Sequence, residues 1–478
     1  MLVVVDESKE CGGHSCQPMT RLSAALGVME RYQKVGLTQM RVYLPQNFNH
    51  LARFPWISIK DTSPASQRAP SGFPEKYPTK LPTMANLRSS SSPRKTTVKT
   101  TPSILFHACS TDTDMLYFSR FNASDPYLAF TIGKKKFGLA VPMEFSRMQN
   151  ESSFDEVLLL SEIREGAVKQ FKLPKGSMPD DCHVVRHLAK IYDIREFLVG
   201  SRFPAGLAFK LKDAGLKITV AENGDLFPER LCKTADEVEA LRKGNRASAA
   251  GHHAVAKTLT EAKIRNGVLV HQGRVLTSER LRDIISMATL AEGAVALDTI
   301  AAFGDQACDC HNAGTGPIRA NELIVVDIFP RRIADGYWGD MTRTFLKGTA
   351  SDAQRHLVRT VKRGHELGMK MVKPGVTGGK IQQAVEDLFA KEGYKTVKNS
   401  REPEGFFHAI GHGIGLDVHE GPSVRPNATQ KLKKGMVITI EPGLYYRGLG
   451  GCRIEDVMHV TQDGGEKISS APYKWEIA

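Results

Sequence analysis

Four carboxylates stand in this chain where strand-like, apolar sequence gives them no water to face. Asp327 sits inside IVVDIF, Asp340 lies in GDMTRTF, Glu441 ends the apolar run of ITIEPG, and Glu455 interrupts CRIEDVMHV. A carboxylate taken out of water is costly unless it is paired or bound to a cation. Each residue alone has a structural explanation; Asp340, for one, can pair with Arg343 or cap a turn. As a set they require positive charge, and the fold has to bring it to them.

A second cluster narrows the chemistry. FFHAIGHGIGLDVHEGP holds His408, His412 and His419, with Gly411, Gly413 and Gly415 around the middle one. Glycines let a backbone bend tightly enough for imidazoles distant in sequence to converge. The segment is no phosphate loop, because no Lys-Ser/Thr follows the glycines. Oxygen-rich ligation with one imidazole suits Mn²⁺, Fe²⁺, Co²⁺ or Zn²⁺, and not a thiolate-type structural zinc. Four carboxylates can neutralise two divalent ions, which in such sites lie about 3.5–4 Å apart.

The rest of the 478 residues divides by composition. Of the net charge of +13, fourteen Lys/Arg against six Asp/Glu in residues 1–100 account for +8, leaving +5 for the rest. The basic excess therefore belongs to a leader, whose part from Asp61 to Lys99 is rich in Ser, Pro and Thr and cannot bury enough apolar surface to order itself. No Lys/Arg stripe interleaves with aromatics, so nucleic-acid binding is not expected. Nor is membrane insertion, since no apolar run reaches eighteen residues. Eight cysteines match neither a disulfide framework nor a four-ligand zinc module, and the pair Cys308 and Cys310 is read as incidental. A cytoplasmic location fits, with organellar targeting by the basic leader left open.

Residues 1–100 are thus expected to be an extension, partly disordered, and 101–232 a small α/β domain. In it ILFHACSTDTDMLYFSRF reads as strands and turns, and Gly133 to Lys136 as a hairpin tip. A boundary falls at Cys232–Ala235, where Thr234 and Glu237 form a capping box for a long helix. His252 and His253 on that helix read as packing or surface residues. Residues 233–478 then form the larger domain, with a helix near Leu276–Met287, a continuous apolar strand ELIVVDIF, strands MVITIEPG and IEDVMHVT, and two helices flanking Pro374-Gly375. The whole is α+β.

With these residues in place the chain resembles the creatinase/methionine-aminopeptidase superfamily, the M24 metallopeptidases of pita-bread fold. Within it the likeness is strongest to the Xaa-Pro aminopeptidases and Xaa-Pro dipeptidases. The resemblance covers about 234–478 strongly and 102–230 more loosely, as a creatinase-like N-terminal domain. It implies a metal cage of Asp327, Asp340 in GDMTRT, His412 in HGIGLDVH, Glu441 in IEPG and Glu455 in RIED. The interval between Asp327 and Asp340 is about two residues longer than usual, which makes Asp335 a decoy in a polar turn. The activity implied is hydrolysis of the bond between an N-terminal residue and proline by a hydroxide that two divalent ions, Mn²⁺ first, activate. Asp340 and Glu455 would bridge the ions and Glu441 would also shuttle the proton. His408 and His419 would hold the carbonyl or oxyanion, and His311 in CHNAGTGPI would contact substrate. Arg453 would fix a carboxylate and, on an alternating strand, share the face of Glu455. The partner is a peptide with proline in second position, and a homodimer is implied. Alternatives are a dipeptidase restricted to Xaa-Pro dipeptides and a non-catalytic peptide-binding protein on the same fold.

Overall fold

The computed structural model describes residues 102–471 and 473–478. The expectation for residues 1–100 lies outside them. The first part of the described chain is a six-stranded mixed sheet. Its order is Glu156–Leu159, Lys135–Ala140, Tyr127–Ile132, Ser103–Ala108, Glu196–Val199, Lys217–Val220. Tyr127–Ile132 and Lys135–Ala140 form the expected hairpin, turning at Gly133 with φ 58°. The reading of TDMLYFS as strand is wrong. Thr113–Ser119 is a helix, because the Asp112 carboxylate accepts the Met115 N–H at 2.9 Å and caps its first turn.

Thr234 and Glu237 form the reciprocal cap at the start of the helix Ala235–Glu261. His252 on it is 2% exposed, with Nε2 2.9 Å from the Met341 carbonyl, a packing role as read from the sequence. This helix and Ser278–Ala291 lie over a four-stranded sheet ordered Ile300–Phe303, Leu323–Ile328, Met341–Lys347, Glu476–Ile477. Period two sorts the central strand. Ile324, Val326 and Ile328 enter the core with Val255 and Leu259 of the long helix. Val325 packs instead with Ile300 and Ala302 on the opposite face, and Asp327 follows it there.

A five-stranded antiparallel sheet faces this one. Its order is Glu420–Val424, Gly411–Gly413, Val437–Ile440, Asp456–Val460, Gly465–Lys467. The helices Asp352–Met371 and Gly378–Lys391 cover it, burying Leu357, Val361, Ile381 and Val385 against Ile438 and Ile440. A hairpin of Gly443–Tyr446 and Gly450–Arg453 lies between the sheets. The Glu455 N–H donates to the Thr342 carbonyl at 3.1 Å and ties the two sheets together.

Candidate metal centre

The carboxylates meet where the sheets face each other. Asp327 lies directly across from Thr342 in the antiparallel register, so both share the inner face. Asp340 is placed from behind: Gly339 passes so close to Gly244 of the long helix that any Cβ would overlap its backbone. The Asp340 N–H then donates to Asn245 Oδ1 at 3.2 Å. His412 sits where the register of its strand with Glu420–Val424 shifts, an irregularity of the kind that re-aims a side chain. Glu441 follows the strand Val437–Ile440 and shares its face with Thr439, whose hydroxyl takes the His412 N–H at 3.1 Å.

Ligand atoms of Asp340, His412 and Glu455 all fall within 4.8 Å of one another. His412 Nε2 stands 3.3 Å from Glu441 Oε1 and 3.7 Å from Asp340 Oδ2. Its Nδ1 faces the Gly413 carbonyl at 3.1 Å, which assigns the proton there and leaves a lone pair on Nε2 toward the carboxylates. Asp327 Oδ2 accepts from Arg453 Nη2 at 2.8 Å, while its Oδ1 is buried with no hydrogen-bond partner. All five converge on one cavity of about 540 Å³, whose wall also includes His311, His408, His419 and Arg453.

The electrostatics are those of a site short of positive charge. Burial first, then the charges of Asp327 and Glu441, pushes the Asp340 carboxyl well up. Glu455 is raised in the same way, by burial and then by Asp340. Burial lifts Glu441 to about 8, against the pull of Arg453. His412 is held down to about 3 by burial and by His419, so it is neutral and available as a ligand. Burial opposes the charge on Arg453, but Tyr445, Asp327 and Glu441 outweigh it and keep the guanidinium protonated. An orphaned carboxylate oxygen, raised carboxyls and a neutral imidazole with a free lone pair are what a divalent cation resolves. The residues present fit such an ion.

The nine candidates resolve differently. Among the described residues, the His419 ring has no hydrogen-bond partner; it packs edge-on against His412 at 4.3 Å between centroids. His408 has both nitrogens engaged, Nδ1 by the Ala409 carbonyl at 2.7 Å and Nε2 by the Tyr445 hydroxyl at 3.0 Å. Asp335 pairs with Arg332 at 2.9 Å, outside the cavity wall. The strand argument for Arg453 and Glu455 fails, because one strand ends at Arg453 and the next begins at Asp456. The two still meet through Thr342 Oγ1, which donates to Glu455 Oε2 at 2.7 Å and lies 3.3 Å from Arg453 Nε. Thr342 was overlooked although it neighbours Asp340 in GDMTRT. Tyr445, whose hydroxyl also takes a hydrogen bond from Arg453 Nη1 at 2.8 Å, gave no sequence signal beyond following IEPG. Cys310 lines the cavity, and its carbonyl accepts from Arg453 at 3.3 Å; its adjacency to His311 was the available sign.

Comparison with known proteins places this geometry among relatives. The model of metallopeptidase family M24 matches residues 239–462. A Mycobacterium tuberculosis protein named "Probable dipeptidase PepE" is 30% identical over 277 residues, 58% of this chain and 68% of that protein. The Xaa-Pro dipeptidase of Pyrococcus furiosus is 29% identical over 241 residues, 50% of this chain and 63% of the other. Several matches to curated relatives are shorter, spanning only 43% to 47% of the relative's length. Among solved structures, the X-Pro aminopeptidase of Thermotoga maritima superposes with a TM-score of 0.65 at 22% identity, covering 79% of this chain and 97% of that one. The shared fold is the pita-bread fold.

Proposed function

The chain belongs to metallopeptidase family M24, and from that premise we propose that it hydrolyses the bond between an N-terminal residue and a following proline. The observation that carries this reading is the convergence of Asp340, His412 and Glu455 ligand atoms within 4.8 Å, beside Asp327 and Glu441. These five would hold two divalent ions, with Mn²⁺ the first candidate metal. Bound there, the ions supply a water of lowered pKa and a polarised carbonyl.

The side chains do the rest. Arg453 fixes Asp327, and Thr342 fixes Glu455, so that neither carboxylate can swing away. Glu441 takes the proton released by the attacking water and passes it to the leaving imino nitrogen. His419, with its ring open to the cavity, donates to the scissile carbonyl oxygen as charge develops on it. His408 acts with Tyr445, and His311 borders the substrate. Residues 101–232 serve as the smaller N-terminal domain of a cytoplasmic homodimer.

A dipeptidase is the second reading, favoured by the names of the two curated relatives. Metal-stripped protein re-supplied with Mn²⁺ distinguishes them. Cleavage of Arg-Pro-Pro at Arg-Pro is the expected result; turnover of Ala-Pro alone makes the enzyme a dipeptidase. Turnover of neither, with Mn²⁺, Co²⁺ and Zn²⁺ each demonstrably bound, defeats the proline-directed reading.

A further inference from the structure

The stretch between Asp327 and Asp340 forms a hairpin in which Arg331 and Arg332 pair with Val295 and Ala294, and Arg331 bridges back to Trp338. It borders two cavities besides the metal site. One, of about 460 Å³, is lined by Arg331, Trp338 and Leu297 and shares Asp298 with the metal-site cavity. The other, of about 390 Å³, also touches Arg331 and Trp338 and shares Val418 and His419 with the metal site. Both cavities adjoining the metal site are therefore lined by the same arginine.

The neighbouring cations are already committed. Arg120 bonds Tyr337 and Glu237, and Arg332 bonds Asp335. Arg331 is half-buried, donates only to the Gly336 and Ser110 carbonyls at 3.3 Å each, and has no carboxylate within ion-pair distance among the described residues. Apolar side chains, Leu297 at 84% and Ile333 at 52% exposed, rim the same groove. A groove with apolar walls and one uncommitted guanidinium suits a peptide that ends in a carboxylate.

We propose that this hairpin forms a subsite for the C-terminal part of substrates longer than a dipeptide, with Arg331 receiving the terminal carboxylate. The inference rests on the proline-directed reading above and gives that site its substrate class. Arg331 follows Asp327 by four residues, at most about 14 Å of extended chain. In Ala-Pro-Ala-Ala the three residues beyond the cleaved carbonyl span up to about 11 Å, against about 3.6 Å for the one residue of Ala-Pro. The longer tail has the greater reach from the scissile bond toward the hairpin that carries Arg331.

The test compares kcat/KM for Ala-Pro-Ala-Ala as free acid and as C-terminal amide, in the Mn²⁺-loaded wild type, Arg331→Gln and Arg331→Lys. The wild type should prefer the acid on the order of tenfold, mainly through KM, as expected for one charge-assisted contact. In Arg331→Gln the ratio should fall to near one, and Arg331→Lys should restore part of it. Equal turnover of acid and amide by the wild type, or an unchanged ratio in Arg331→Gln, overturns the subsite while leaving proline-directed hydrolysis intact. Failure of the wild type to cleave either this peptide or Ala-Pro brings down the underlying reading and the subsite with it.

Discussion

Glu455 and Asp456 are neighbours in sequence, both almost fully buried, at 1% and 2% exposed, and they live in opposite electrostatic worlds. Asp456 faces Arg343 at 2.9 Å, the Ser469 hydroxyl at 2.6 Å and His365 at 3.3 Å. Glu455 faces Thr342 and three further carboxylates across the cavity, with Arg453 as the nearby cation. One acid is neutralised by the protein itself; the other waits for charge from outside. Two adjacent buried acids thus separate a structural pair from a cation site more sharply than burial or sequence context does alone.

The comparison can be broken most forcefully at Asp456. Asp456→Asn should destabilise the fold by about 3–5 kcal/mol, because Arg343 is then left as an uncompensated buried charge. Denaturant unfolding measures this, and a change below about 1 kcal/mol would dissolve the contrast. Glu455→Gln should behave oppositely: metal-free stability held or improved, and Mn²⁺ affinity reduced at least about a hundredfold by calorimetry.

The pH dependence sharpens the same point. Burial raises the Glu441 carboxyl in the folded protein to about 8, well above its ordinary value of 4.5, so the metal-free fold binds more protons there than the unfolded chain does. Its stability contribution is complete below the lower value and is lost as pH rises through the higher one. The buried histidines act the other way. His365 is lowered to about 4 and His412 to about 3 by burial, so their contribution is present above 6.5 and lost in acid. Between pH 6.5 and 8 the carboxyls decide the sign, and the melting temperature of metal-free protein should fall across that window. Mn²⁺-loaded protein should stay level, and a parallel fall in both forms would count against the cage. The smallest effect is expected for Thr342→Val, which frees Glu455 to swing and should weaken Mn²⁺ binding about tenfold without touching the Asp456 side.

Much of this was legible before any coordinates. The continuous apolar run around Asp327, the cap at Thr234 and the glycines of the histidine loop each follow from local rules that the fold obeys. What escaped depended on contacts between distant segments. The helix Thr113–Ser119 was hidden because its apolar residues suit either structure and the decision falls to one capping carboxylate, Asp112. Tyr445 is a functional neighbour only because a hairpin folds it back onto His408 and Arg453. Arg331 is uncommitted only by comparison with the arginines around it, and nothing in RRIADGYWG says which of the two will find an aspartate.

Glu237 carries a consequence for anyone who would cut this chain. Its Oε2 takes the Thr234 N–H at 2.9 Å to cap the long helix, while its Oε1 takes the Tyr337 hydroxyl at 2.6 Å and Arg120 at 3.1 Å. One carboxylate is therefore stitched to residues on both sides of the position where composition suggests a clean break. Excising 233–478 would remove Arg120 and leave that acid half-served, with the hairpin at Tyr337 losing its anchor's counter-charge. A border easy to see in the alphabet of the chain is not a seam along which the molecule can be unpicked.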